Sequence, residues 1–310
     1  MRFLIGTVLL GAASVSCLQA QTAANVEVRW EPQHPSQGSF VYLYVRPDIR
    51  IEPEAWTGRI TASLAGQELH FERGRTGEFV ALAAIPVNAQ ETIPVTLALA
   101  RGRDSVHRFV RIPIGPGDFD SERLSVAPRF SRQPDSALQA RIRAESRRSR
   151  EVSIRTHSTP RMWHGEWVLP RPSEITSAFG TGRVFNGEIQ SRHMGLDLDG
   201  DTGDPIRAAN RGTVALVGDF YYAGNVVYLD HGAGLITIYM HMSEVEVQEG
   251  DIVQPGQVIG RVGATGRVTG PHLHWVGRYG RISVNPLTIF DLDSSVLGPP
   301  ADGTNPSPAH

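Results

Sequence analysis

Three short stretches of this 310-residue sequence hold side chains that can do chemistry together: SRHMGLDLDG with His193 and Asp197, IYMHMSE with His241, and GPHLHW with His272 and His274. Imidazole and carboxylate hold divalent zinc where no thiolate is available, and imidazole also moves protons near neutral pH. On an extended strand alternate residues face the same side with Cα atoms ~6.5–7 Å apart, so His272 and His274 look into one site. His193 and Asp197 in an extended strand would stand ~13 Å apart, too far to share an ion whose bonds are ~2 Å long. The chain must bend between them, and Gly195 is placed to allow it, while the DLDGDTGDP that follows argues against a helix. Two ligands from that turn and one histidine of the H-x-H strand would form a His2Asp set with a fourth position open for water, the pattern of catalytic zinc. Oxygen and nitrogen donors without sulfur favour Zn²⁺. Such an ion lowers the pKa of its water toward ~7 and polarises a carbonyl, leaving two histidines to take a proton or hold a developing oxyanion.

The rest of the composition narrows the chemistry by exclusion. All 30 basic residues are arginine, so Schiff-base catalysis, lysine bases and lysine-tethered cofactors are ruled out. DIVQPGQVIGRVG has the hairpin pattern of biotinyl and lipoyl carriers, but a chain without lysine has no acceptor for either group. A formal net charge of -2 implies no nucleic-acid partner. The N-terminal MRFLIGTVLLGAASVSCLQA reads as a secretory signal peptide, residues 1–20, with Leu18-Gln19-Ala20 before the cleavage point. The single cysteine, Cys17, lies inside it; cleavage before Cys17 to give a lipoprotein is the alternative. Removal of that segment leaves no thiol, hence neither disulfides nor cysteine ligands.

The elements that must position these residues are mostly strands. From Asn25 to Ile114, apolar runs such as NVEVRW, SFVYLYVR, FVALAAIP and IPVTLALA alternate with glycine, proline and asparagine, which predicts an immunoglobulin-like β-sandwich over 21–115. Residues 116–170 read as a polar connector with a helix near 135–151 that Asp135 caps. The arginines of that helix (Arg141, Arg143, Arg147, Arg148, Arg150) suit a solvated surface, and Trp163 and Trp167 suit packing against the next domain. Strand patterns return over 171–291 in TVALVGDF, NVVYLDHG, LITIYMHM and HLHWVGRYG, so this domain too is all-β. The tail, 292–310, is rich in proline and glycine and is expected to be disordered.

The C-terminal domain resembles the lysostaphin-type zinc endopeptidases, which cut the peptide part of bacterial peptidoglycan. The resemblance runs from ITSAFGTGRVFNG through HMGLDLDGDTGDPIRAANRGTV and GNVVYLDHGAGLITIYMHMSE to GATGRVTGPHLHW and VNPL, with no motif position substituted. It implies a two-sheet all-β domain with the site in a groove between loops. It further implies that His193, Asp197 and His274 hold Zn²⁺ and that His241 and His272 are the catalytic pair. Arg183, after SAFGTG, is a candidate for a substrate carboxylate or for a structural salt bridge, and His231 in LDHGAG is read as structural.

On this reading the protein is an exported zinc metalloendopeptidase, periplasmic or associated with the cell wall, acting on peptidoglycan stem peptides or cross-bridges as a monomer. A diaminopimelate cross-link and a glycine bridge both remain open as the bond cut. The alternative is a non-catalytic wall-binding adaptor, or a regulator of other wall hydrolases, with a retained metal site. The N-terminal sandwich would target the wall, recruit an envelope partner, or cover the groove, with His157 or Asp120 as groups to reach the ion.

Overall fold

The computed structural model describes residues 26–47, 56–101, 104–124, 133–185 and 189–300. The signal-peptide reading and Cys17 therefore lie outside the described residues, as does the end of the tail from 301. Among the described residues the fold is all-β apart from one α-helix and short 3₁₀ turns. Among the described residues no helix is long and apolar enough to cross a membrane.

The N-terminal part contains β1 (Val26–Glu31), β2 (Phe40–Pro47), β3 (Trp56–Leu64), β4 (Gln67–Glu68), β5 (Glu72–Arg73), β6 (Phe79–Ala84), β7 (Thr92–Arg101) and β8 (Asp104–Pro113). They form two four-stranded antiparallel sheets, ordered β1-β2-β6-β5 and β4-β3-β7-β8. In β7 the residues Ile93, Val95, Leu97 and Leu99 are buried while the residues between them are not, the alternation expected of a sheet with one face toward the core. In β2, by contrast, FVYLYV is buried without a break, because its sheet is covered on both faces: β6 also touches strands of the C-terminal domain.

The connector is bound more closely than its composition suggests. Strand β9 (Ser121–Leu124) pairs in parallel with β11 (Gly182–Phe185) of the C-terminal part. The helix α1 (Ser136–Arg155) starts at Asp135, whose side chain accepts from the Leu138 N–H. Its arginines are not simply solvated. Arg141, Arg148 and Arg155, seven residues apart and so on one face, donate at 3.0 Å to the carbonyls of Asp219, Val217 and Ala215, alternate residues on one edge of β15 (Gly212–Phe220). Glu249 completes the pattern by accepting from both Arg148 and the Val217 N–H. Strand β19 (Ile252–Val253) pairs with β15 only at Gly212 and Thr213, so the helix side chains satisfy an edge that would otherwise present bare carbonyls.

The remaining strands are β10 (Ile175–Ser177), β12 (Ile189–Arg192), β13 (Leu196–Asp199), β14 (Pro205–Arg207), β16 (Gly224–Gly232), β17 (Leu235–Met242), β18 (Glu244–Val245), β20 (Val258–Arg261), β21 (His272–Tyr279) and β22 (Ile282–Val284). The main sheet runs β10-β13-β21-β17-β16-β15-β19, with β22 on β21; β14-β20-β18 and β12-β11-β9 form two small sheets beside it. Trp275 and Tyr239, both fully buried, fill its centre, and Trp163 and Trp167 pack on the same core as anticipated for the connector.

The sandwich docks at the far end of β21 from its histidines. There Tyr279 donates to the Glu68 carbonyl, Gln67 Oε1 accepts from the Arg281 N–H, and His70 Nε2 lies 2.9 Å from His157 Nδ1. Arg161 grips Glu72 with Nε and Nη2 and the Gly298 carbonyl with Nη2. That last contact belongs to the segment expected to be disordered. Residues 292–300 are instead packed, with Leu292 and Leu297 buried and Leu297 bridged to Gly74, because two leucines in DLDSSVLGPP find apolar surface that composition alone does not reveal.

Candidate metal and catalytic site

The five histidine and aspartate side chains singled out above meet on three neighbouring strands and one turn. Asp197 on β13 lies directly opposite His274 on β21, and Asp199 lies opposite His272. Pairing across an antiparallel ladder brings side chains on the same face within reach of one another, so Asp197 Oδ1 sits 2.7 Å from His274 Nδ1. His193 precedes β13 by a bend at Gly195, and its Nε2 stands 2.9 Å from Asp197 Oδ1 and 2.8 Å from His274 Nδ1. The bend needs glycine for reasons of space: a Cβ at Gly195 would lie 2.6 Å from the Trp275 carbonyl and 2.8 Å from the His274 ring.

His241 reaches the group by a different device. Asn225 pairs with Met242 and Val227 with Tyr239, so β17 carries one residue more than β16 between these pairs. This bulge holds His241 at φ +64°, a left-handed conformation that a non-glycine residue adopts only where its surroundings impose it. The His241 N–H is taken by the Ala223 carbonyl, and its ring lies 5.0 Å from that of His272 and 5.8 Å from that of His274, centre to centre.

Carbonyl acceptors set the tautomers. His193 Nδ1 donates to the Ala178 carbonyl, His241 Nδ1 to that of Thr265 and His272 Nδ1 to that of Gly270, each at 2.9 Å. A proton held on Nδ1 leaves the Nε2 lone pair of each ring directed away from that carbonyl. His193 Nε2, Asp197 Oδ1 and His274 Nδ1 thus converge as a set of electron-pair donors with too few protons to satisfy each other, which is the donor chemistry of a divalent cation site; this trio is a group able to hold a metal ion. The second oxygen of Asp197 accepts from Arg183 Nη2 at 2.6 Å, and Arg183 also reaches Ser177 Oγ. Of the two roles considered for Arg183, the salt bridge is the one present.

Electrostatics follow from burial. The His274 ring, mostly buried, is driven down to about 4 by desolvation, with the Asp197 carboxylate opposing the shift. Desolvation and the neighbouring rings of His274 and His272 also push His241 well below the ordinary histidine range. Burial alone would raise the Asp197 carboxyl, but the imidazoles of His193 and His274 pressed against it prevail and hold it far below the usual carboxylate range. All of these groups open onto one cavity of about 300 Å³, whose walls also include Arg192, Met194, Tyr222, Arg267 and Thr269. Nothing in the sequence distinguishes Arg192 or Arg267 from the chain's other arginines; only their neighbours along the chain, His193 and the glycine-rich loop before His272, place them near the site.

The other candidates lie elsewhere. His231 is fully buried away from the cavity, its Nδ1 donating to the Arg211 carbonyl and its Nε2 2.7 Å from Thr237 Oγ1. His157 is held at the sandwich interface with His70, and the Asp120 carbonyl accepts from the Gly182 N–H beside the groove. Among the described residues, none of the sandwich lines the cavity over the histidines.

Comparison with known proteins matches this geometry. Residues 191–286 fit the model of Peptidase family M23. The chain is 39% identical over 117 residues to the peptidoglycan DD-endopeptidase ShyC of Vibrio cholerae, an alignment covering 37% of this chain and 27% of that protein. It is 41% identical over 97 residues to the DD-carboxypeptidase/endopeptidase Mpg of Neisseria meningitidis, covering 31% of this chain and 22% of that one. The chain thus spans about a quarter of the length of these curated relatives. A crystal structure of a Pseudomonas aeruginosa protein assigned to peptidase M23 superposes with a TM-score of 0.60 at 24% identity, covering 83% of this chain and 95% of the other, and so shares the fold of most of the molecule. Residues 191–286, the stretch that carries all five of the converging histidine and aspartate side chains, are thus the part of this chain that matches Peptidase family M23.

Proposed function

We propose that the chain is a zinc-dependent endopeptidase that hydrolyses peptide cross-links of bacterial peptidoglycan in the cell envelope, after export. The observation that carries this reading is the convergence of His193 Nε2, Asp197 Oδ1 and His274 Nδ1 within 2.9 Å of one another at the floor of an open cavity that His241 and His272 also line. In this reading His193, Asp197 and His274 hold the ion. When bound, Zn²⁺ supplies Lewis acidity, polarising a carbonyl oxygen and making water a better nucleophile near neutral pH. His241 and His272, with Nδ1 committed to carbonyls, use Nε2: unprotonated it accepts a proton from the attacking water, and protonated it donates to the developing oxyanion. The Arg183 guanidinium fixes the Asp197 carboxylate and leaves Oδ1 turned toward the two imidazoles. The names of the Vibrio and Neisseria relatives support the substrate class.

The test is zinc content together with muropeptide release from purified peptidoglycan, comparing the mature chain with its His272→Ala and His274→Ala forms. The expected result is release of cross-link-cleaved products by the parent chain alone, zinc retained by His272→Ala, and zinc lost from His274→Ala. Zinc held by the parent chain with no cleavage of walls of either cross-link type would overturn the hydrolase in favour of an adaptor.

A further inference from the structure

The backbone that aims His241 is held by a clasp centred on Thr265. At φ +64° the His241 backbone lies in the left-handed region, which a residue with a Cβ keeps only where its surroundings over-determine it. Thr265 contributes both of its oxygens to that support. Its hydroxyl accepts from the Asn225 N–H and donates to the Met242 carbonyl, each at 2.9 Å. Asn225 and Met242 are the register pair on one side of the bulge, and Asn225 Nδ2 donates to the same Met242 carbonyl at 3.0 Å. The Thr265 carbonyl in turn accepts the Nδ1 proton of His241 at 2.9 Å.

Thr265 has little room in which to move. Gly224, at φ +63°, approaches it so closely that a Cβ there would lie 2.2 Å from the Thr265 hydroxyl oxygen and 2.6 Å from its carbonyl oxygen. The turn that contains Gly224 is itself tied down: the Ala223 carbonyl accepts from the His241 N–H and the Tyr222 carbonyl from the Arg267 N–H, each at 2.9 Å. One hydroxyl therefore joins the ends of β16 and β17 to the glycine-rich loop, and the carbonyl of the same residue receives the proton of the ring between them. Thr265 is not among the described residues that line the cavity, so its influence on chemistry there runs through His241.

Resting on the endopeptidase reading above, we propose that Thr265 is a positioning residue whose hydroxyl fixes both the direction and the tautomer of His241. A neutral imidazole carries one proton, and the ring nitrogen that holds it cannot accept another. With Nδ1–H bonded to the Thr265 carbonyl, Nε2 is left as the acceptor. Once the clasp is released, that carbonyl no longer stands opposite Nδ1. The proton is then free to reside on Nε2, where the ring offers a donor in place of a base. Misplacing such a group by about 1 Å costs up to about a hundredfold in rate.

The test combines kinetics with a tautomer readout on the full mature chain. Thr265→Val keeps the shape of the side chain and removes the hydroxyl, while Thr265→Ser keeps the hydroxyl. Ser243→Ala deletes a neighbouring hydroxyl bonded to the Val262 carbonyl at 2.7 Å and controls for loss of stability alone. Turnover is followed on cross-linked muropeptide dimers, and the His241 ring by ¹⁵N NMR at about pH 8, where its imidazole is neutral, with signals assigned by their absence from His241→Ala. Thr265→Val should lower kcat by about tenfold to a hundredfold with KM within about threefold and zinc content unchanged, and its Nδ1–H form should give way to a mixture with Nε2–H. Thr265→Ser and Ser243→Ala should stay within about threefold of the parent in kcat and keep Nδ1–H. A parent ring protonated on Nε2, a Thr265→Val form with parental kcat or with its rate lost while His241 stays wholly Nδ1–H, or a Thr265→Ser or Ser243→Ala form as slow as the valine form, refutes the assignment. If the parent cuts no muropeptide, the endopeptidase reading falls and the tautomer alone decides the clasp: a mixture in Thr265→Val upholds it, and unchanged Nδ1–H removes it as well.

Discussion

His231 offers a quantitative test of the distinction between a structural and a working histidine. Its ring is fully enclosed, edge-on to Trp167 at 5.2 Å, between the Arg211 carbonyl and the Thr237 hydroxyl, and burial brings its pKa from 6.5 to about 4. The folded chain thus holds this ring neutral at pH values where the unfolded chain binds a proton. For a base depressed in this way the stabilisation is complete above the unfolded value and is lost as pH falls from about 6.5 toward about 4. At about 1.4 kcal/mol for each pH unit, the full loss amounts to about 3 kcal/mol from this one residue. The variant His231→Gln keeps one donor and one acceptor but cannot titrate. Urea unfolding of both proteins, metal-free, across pH 7.5 to pH 4.5 should show the parent losing about 2–3 kcal/mol more than the variant over that span. Parallel pH profiles, with the His231 ring titrating near the ordinary histidine value by NMR, would refute the reasoning.

Further outcomes follow from geometry. Gly195→Ala should press on the Trp275 carbonyl and the His274 ring together, lowering the melting temperature and lowering zinc affinity by about tenfold to a hundredfold in chelator competition. Because desolvation lowers the His274 pKa, acid should release zinc at a lower pH than it does from a solvent-exposed histidine, read by chelator dye across a pH series. Arg148→Ala removes partly exposed contacts to the Val217 carbonyl and Glu249 and should cost about 1 kcal/mol or less by thermal melting. Replacing Arg141, Arg148 and Arg155 together bares the β15 edge and should produce concentration-dependent association by light scattering.

The strand pattern made the β-rich architecture legible, and the H-x-H spacing made it legible that His272 and His274 share a face. The bend at Gly195 was also readable, since no straight strand lets His193 and Asp197 share an ion. The bulge that aims His241 was not. IYMHM alternates like any strand, and the extra residue appears only when β17 is set against β16. The arginine face of α1 was equally hidden, because a seven-residue spacing on a polar helix looks the same whether it meets water or a row of carbonyls. The packed stretch around Leu292 and Leu297 was missed for a related reason: two leucines among prolines and glycines have no periodicity to report a buried partner. Long-range contacts decided each of these cases.

The placement of the site across β13, β21 and β17 has a consequence for how this molecule can change. A one-residue slip of β21 would turn both of its histidines away and present Leu273, so the chemistry depends on a register held on both sides by neighbouring strands. The other walls of the cavity, by contrast, come largely from the β11–β12 hairpin and from the loop before β21. The side chains that converge are therefore carried by other elements than those that shape the cavity around them. The loops can vary while the three strands stay in register, and the sandwich, docked at the opposite end of β21, leaves the described walls of the cavity untouched.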